Sequence, residues 1–136
     1  MPDYPDKKVQ PHPFARAKEG EGSPAWRPAP IGYAELAVTS NYTFLTGASH
    51  PEEMVERAAE LGHHAAAIAD TNTMAGVVRA HVAAKEAGIP LAVGCRVRLS
   101  GHGEPLDVLV FAESRAGYSG LCGLLTLGKR RAPKGE

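Results

Sequence analysis

The chain has 136 residues, 43% of them hydrophobic and 22% charged, and its 15 Lys and Arg are balanced by 15 Asp and Glu. The apolar share is near the roughly 45–50% of ordinary globular domains, so one soluble core is expected. Zero formal net charge removes any whole-chain electrostatic argument for a nucleic-acid partner, and no apolar run approaches the ~20 residues of a membrane span, so no membrane partner is expected.

The N-terminus, MPDYPDKKVQPHPF, lacks the apolar stretch of a secretory signal, and a cytoplasmic location is expected. Residues 1–30 carry seven prolines with mixed charges and few aliphatics. Such a segment cannot offset the entropy of ordering and reads as a disordered N-terminal arm.

From residue 31 the pattern alternates. Residues 33–39 (YAELAVT) read as a first strand. A helix follows over 49–61: Ser49 and Glu52 have capping-box spacing, Pro51 suits the first turn, and Gly62 supplies the stop. The run AAAIA at 65–69 suits a strand buried on both faces. Asp70-Thr71-Asn72-Thr73 forms a loop that also offers N-caps for a second helix over about 74–87, which Gly88 and Pro90 end. Residues 91–99 and 107–112 read as two further strands, and Ser114 can cap a last helix running to about residue 127. The tail KRRAPKGE is polar.

This order predicts an α/β fold, mostly parallel, with right-handed crossovers. About seven residues join the last two strands, too few for a parallel crossover, so they are expected to pair as one hairpin.

In parallel α/β folds ligands bind at the carboxyl ends of the strands, marked here by Thr39-Ser40-Asn41, Asp70-Thr71-Asn72 and Cys95-Arg96. Period-two alternation puts Tyr33, Glu35, Ala37 and Thr39 on one face of the first strand. Glu35 and Asp70 could hold one hydrated cation loosely, and they are too few for a polynuclear centre. The alternative is that Asp70 caps the second helix or braces its loop by hydrogen bonds. The six histidines (His12, His50, His63, His64, His81 and His102) are scattered and read as solvated or structural. Cys95 and Cys122 make neither a zinc site nor a disulfide framework and read as small buried apolar residues. There is no nucleophile elbow, phosphate loop or dinucleotide fingerprint. Arg96 would set a cation on the site wall, for a phosphate or a surface salt bridge. Lys129, Arg130 and Arg131 could touch a nucleic-acid backbone or be a solvated chain end, with no aromatic platform evident beside them.

The segments A-E-L-x-V-T-S-N-Y at 34–42, G-A-S-H-P-E-E at 47–53, A-D-T-N-T-M-A-G at 69–76 and V-G-C-R at 93–96 together resemble the polymerase and histidinol phosphatase (PHP) domain. More narrowly they resemble the form that opens bacterial error-prone C-family DNA polymerases. The resemblance implies that residues 31–136 are the N-terminal, incomplete portion of a distorted β/α barrel. Such a half barrel would expose strand edges and be marginally stable or self-associating. It also implies a degenerate metal site. The family's His-x-His positions hold Glu35 and Ala37, a following histidine position holds Thr39, and a later ligand position holds Thr46. The Asp-His pair is Asp70-Thr71, and the Glu position holds Arg96.

The implied function is a non-catalytic segment of a translesion polymerase that acts in damage-induced DNA synthesis, binding no cofactor itself while the parent polymerase uses Mg2+. Implied partners are DNA, the rest of the polymerase chain, the sliding clamp and translesion accessory proteins. The alternatives are a metal-dependent phosphoesterase or nuclease using Glu35 and Asp70, and a small protein-interaction module.

Overall fold

The computed structural model describes residues 27, 32–101 and 103–133. The N-terminal arm expected to be disordered lies outside the described residues apart from Arg27, as do His102 and the tail residues 134–136. The elements are β1 (Ala34–Val38), α1 (Pro51–Glu60), β2 (Ala65–Ile68), α2 (Val77–Ala87), β3 (Leu91–Leu99), β4 (Leu106–Ala112) and α3 (Arg115–Arg131). They form one curled, four-stranded sheet in the order β1-β2-β3-β4. β1 and β2 are parallel, β2 and β3 are parallel, and β3 turns back into β4 as the expected hairpin, with seven antiparallel pairs from Val93↔Ala112 to Leu99↔Leu106.

β2 lies between two strands and beneath α1, with α2 packed on α1 and β3, so its short apolar run is sealed: Ala66, Ala67 and Ile68 are at most 2% exposed. Val38, Val55, Ala58, Ala80, Ala83, Ala84 and Ile89 complete this core. The many alanines let both helices approach the sheet closely. Fully burying one aliphatic side chain such as Ile68 is worth about 1.5–3 kcal/mol, so the core rests on the larger members among the alanines. α3 packs on β4 through the buried Leu121. Among the described residues no helix is long and apolar enough to cross a membrane.

Helix boundaries differ from the sequence expectation in three places. α1 is capped one residue later than Ser49. A residue preceding proline is pushed out of the helical region, so His50 is extended (φ −72°, ψ 150°) and becomes the cap. The Glu53 carboxylate then accepts from the His50 backbone N–H at 2.9 Å. Glu52, released from capping, pairs with Arg79 at 3.1 Å and ties α1 to α2.

α2 begins at Val77 and takes no cap from residues 70–73, because Asn72 is left-handed (φ 54°) and Thr73 turns its hydroxyl to the Ala75 N–H. α3 is capped as expected, Ser114 Oγ accepting from the Gly117 N–H at 3.1 Å, but it runs through Lys129, Arg130 and Arg131. Nothing stops it until Pro133 forces Ala132 into extended backbone (φ −74°, ψ 145°). Cys95 is fully buried as expected, whereas Cys122 is only half-buried on α3.

The loop from β1 to α1 folds back on itself at Gly47. A Cβ there would lie 2.0 Å from the Ser40 carbonyl oxygen and 2.4 Å from its carbon. Both are backbone atoms and cannot swing away. Gly47→Ala is therefore expected to destabilise the chain by about 2–3 kcal/mol, read as a lower urea midpoint with an unchanged slope.

Candidate functional site

The carboxyl ends of β1 and β2 meet the outward extension of β3 at Asp70. This residue is 1% exposed. Its Oδ1 accepts from the Ser40 backbone N–H (2.8 Å) and the Thr43 hydroxyl (2.7 Å), and its Oδ2 accepts from the Ser40 hydroxyl (2.6 Å). The Thr43 hydroxyl in turn accepts from the Thr71 N–H at 3.0 Å. On the other side, the Asp70 carbonyl accepts from the Arg96 N–H at 3.0 Å and the Cys95 thiol at 3.3 Å. Burial is the chief cause that raises the Cys95 thiol above its ordinary pKa. The structure thus makes Asp70 a brace that ties the ends of β1 and β2 to the middle of β3, and it is not a helix cap.

Above this brace lies an open cleft of about 470 Å³, lined by Thr39, Tyr42, Thr43, Phe44, Thr46, Thr71, Asn72, Thr73, Arg96, Arg98 and Lys129. Of the residues singled out from sequence, Thr39, Thr46, Thr71, Arg96 and Lys129 converge on it, while Asp70 is buried. Arg130 and Arg131 are exposed on the last turn of α3 and do not line the cleft.

Glu35 and Ala37 are outside it as well. The Glu35 carboxylate accepts from the Tyr33 phenol at 2.6 Å and from the Ala37 N–H at 3.1 Å. The phenol bond is the main cause that lowers the Glu35 pKa, and the same bond raises that of Tyr33. His63 stacks edge-on against Tyr33, with ring centroids 4.9 Å apart. The His64 backbone N–H donates to the Tyr33 carbonyl, and His81 is exposed on α2. Among the described residues no histidine lines the cleft, and no three His, Cys, Asp or Glu side chains converge as a metal-binding group.

Sequence reasoning missed Tyr42, Phe44 and Arg98. Arg98 was legible, since period two places it on the face of β3 that holds Arg96. It is held by Asp107, its partner in the β3–β4 register, with Nε–Oδ1 2.8 Å and Nη2–Oδ2 2.9 Å. Arg96 stands farther off, 4.0 Å from the same carboxylate. Phe44 and Leu45 are 84% and 93% exposed on a loop where Leu45 is left-handed (φ 62°). A leucine in that conformation costs on the order of 1–3 kcal/mol. Among the described residues the only other non-glycine with positive φ is Asn72, across the cleft.

The mostly parallel sheet with its site at the strand ends belongs to a defined class. The chain is a member of the PHP domain family, whose profile matches residues 35–135. Within that region it is 51% identical over 107 residues to an error-prone DNA polymerase of Bordetella parapertussis, a match covering 77% of this chain and 10% of that protein. It is 49% identical over 114 residues to an error-prone DNA polymerase of Ralstonia nicotianae, covering 80% and 11%. The chain spans about a tenth of the length of these curated relatives.

Among solved structures it is similar to an amidohydrolase from Chromobacterium violaceum with bound sulfate and no metal (TM-score 0.56, 25% identity, 68% of this chain and 33% of that one). It is also similar to a putative metal-dependent phosphoesterase from Bifidobacterium adolescentis (TM-score 0.51, 26% identity, 77% and 37%).

Removing the brace strands three donors. Asp70→Ala is expected to cost about 2–4 kcal/mol in chemical denaturation, with Ser40 left buried and unpaired. The Arg98–Asp107 pair predicts a pH effect of defined sign. The hydrogen bond from Arg98 holds the Asp107 carboxyl below its ordinary pKa. Its contribution is therefore present above the ordinary aspartate pKa and is lost as pH falls through the lowered value. The difference in thermal midpoint between wild type and Asp107→Asn should be measurable near neutral pH and vanish in strong acid.

Proposed function

We propose that this chain is a non-catalytic PHP-domain segment of an error-prone, translesion DNA polymerase, contributing to damage-induced DNA synthesis in a longer parent chain. The observation that carries this reading is the state of Asp70. Both its oxygens are taken by Ser40 and Thr43, and the residue is 1% exposed. The donor set does not fit a catalytic cation. Glu35 is engaged by Tyr33 outside the cleft, the positions around Asp70 are Thr39, Thr46 and Thr71, and Arg96 adds a like charge to the wall where a cation would have to sit. The near 50% identity to error-prone DNA polymerases over this region supports the placement in such a parent.

In that setting the parent would act in the cytoplasm. It would take Mg2+ at a polymerase centre outside this segment, and engage DNA, the sliding clamp and translesion accessory proteins. The PHP segment would serve as a folded support for the rest of the polymerase chain.

A second reading, a metal-dependent phosphoesterase using Glu35 and Asp70, is favoured by one observation, the similarity to the putative phosphoesterase from Bifidobacterium adolescentis. The two readings separate cleanly. The scaffold reading expects purified protein to hold far less than one equivalent of zinc or manganese by elemental analysis. It also expects no hydrolysis of an aryl phosphate or of single-stranded DNA when manganese is added. Stoichiometric metal, or manganese-dependent turnover that Asp70→Ala abolishes, contradicts it.

A further inference from the structure

We infer that this chain pairs with a second copy of itself along the free edge of β4, as a closed two-fold dimer in which two antiparallel β4 strands join the sheets and two α3 helices pack flank to flank. The inference goes beyond the scaffold reading and does not depend on it, because it uses only the shape and charge of this edge.

The order β1-β2-β3-β4 leaves β1 and β4 as the sheet edges among the described residues. An edge strand presents a row of unpaired N–H and C=O groups and templates pairing unless something blunts it. β1 is blunted: it has five residues, and its ladder to β2 is irregular between Glu35 and Val38. β4 is not. It has seven residues, it pairs with β3 residue for residue without a bulge, and it contains neither proline nor lysine. Its one charge, Asp107, is taken up by Arg98. Leu106 and Val108 on one face of the strand and Leu109 on the other are all exposed.

α3 adds a second surface. Of its 17 residues only Leu121 is buried, where the helix packs on β4. At about 100° per residue, Gly120, Gly123, Leu124 and Leu127 share one flank. Lys129, which reaches the cleft above the sheet, lies on the opposite flank. The glycine and leucine flank therefore faces away from the centre of the sheet and overhangs the β4 edge. Leu124 and Leu127 are exposed, and a Cβ at Gly120 or Gly123 would meet nothing within 4 Å. Each glycine costs a helix about 1 kcal/mol against alanine. Nothing within the described residues requires that cost at these two positions, whereas a second helix backbone packed closely on this flank does.

The two surfaces are self-complementary. A two-fold axis normal to the sheet near Leu109 runs β4 antiparallel to its copy and sets both α3 helices on the same side of the joined sheet, also antiparallel. The strand spans about 24 Å and the helix about 26 Å, and they run in opposite directions across the sheet. Their midpoints, Leu109 and Gly123, are therefore nearly level, so the closest approach of the two helices falls at the glycines. No charged residue lies between Arg115 and Lys129, so the centre of the contact carries no like-charge repulsion. The antiparallel arrangement also brings the basic last turn, Arg130 and Arg131, toward the partner's Glu113 at the start of its own helix. Another partner would have to present both a free strand edge and an uncharged helix flank at this spacing. A second copy carries both.

The test is sedimentation velocity of the full 136-residue chain across a micromolar concentration series. The expected result is a monomer that converts to a species of twice its mass and to nothing larger, because a two-fold contact closes on itself. Val108→Lys sets like charges across the seam and should weaken the dimer about tenfold or more. Gly123→Leu fills the helix contact and should weaken it by a similar factor. The same change raises the helix propensity of α3, so the melting midpoint of the dilute monomer should not fall. That opposite sign separates a docking role from a merely structural one. Val78→Lys, at an exposed apolar residue on α2 away from the edge, should change the dimer affinity less than twofold.

Circular dichroism confirms that each variant keeps the wild-type fold. A chain that stays monomeric throughout the series overturns the assignment. So do assemblies that grow past the dimer, which mark an open contact at another surface. A dimer that neither Val108→Lys nor Gly123→Leu weakens, or that Val78→Lys weakens as much as they do, also overturns it, since the contact then lies elsewhere or is a nonspecific apolar association.

Discussion

A carboxyl group can be carried into a protein interior only if its oxygens find donors, because an unpaired one costs several kcal/mol. Asp70 meets that requirement where β1 and β2 end beside the middle of β3. Its side chain collects the Ser40 N–H, the Ser40 hydroxyl and the Thr43 hydroxyl from the loop after β1, and its carbonyl collects the Arg96 N–H and the Cys95 thiol from β3. The rest of the site follows from this junction. The loop after β1 must curl tightly enough to present Ser40 and Thr43 together, which brings Ser40 against Gly47 and throws Phe44 and Leu45 outward. The junction also leaves β3 free to run on past β2 into the hairpin, which sets Arg96 and Arg98 along the cleft wall.

The chemistry of the cleft is the consequence. In a PHP-family fold the strand ends are where side chains meet a ligand, and a shared fold can carry different chemistry at that place. Here the acid faces inward while cations, hydroxyls and aromatic rings face outward. A charge pattern of this kind attracts anions and repels divalent cations. The similarity to error-prone DNA polymerases and the composition of the cleft are independent observations, one resting on sequence over the whole region and the other on a handful of side chains.

Much of this was legible in the sequence where local rules act alone. The buried run at 65–69, the glycine stops after α1 and α2, the hairpin and the Ser114 cap all follow from short-range chemistry, and each stands in the structure. The misses arose where two local rules compete or where contacts are long-range. Ser49 had the spacing of a cap, but Pro51 imposes extended backbone on His50 and moves the cap there. Lys129 read as part of a polar tail, yet no breaker precedes Pro133, so the helix carries it to the cleft. Asp70 was open to two readings because its three donors lie about 30 residues away, and sequence spacing says nothing about such partners. That Phe44 and Lys129 line one cleft was invisible for the same reason, since one comes from the first loop and the other from the last helix.

The claim that Asp70 is a brace can be measured directly by amide hydrogen exchange at Ser40 followed by NMR. The account predicts that this amide, although in a loop, exchanges only through near-global opening in the wild type, at a rate close to that of Ile68 in β2. In Asp70→Ala it should exchange orders of magnitude faster while Ile68 stays protected relative to it. A Ser40 amide that already exchanges as freely as an open loop in the wild-type protein would contradict the account.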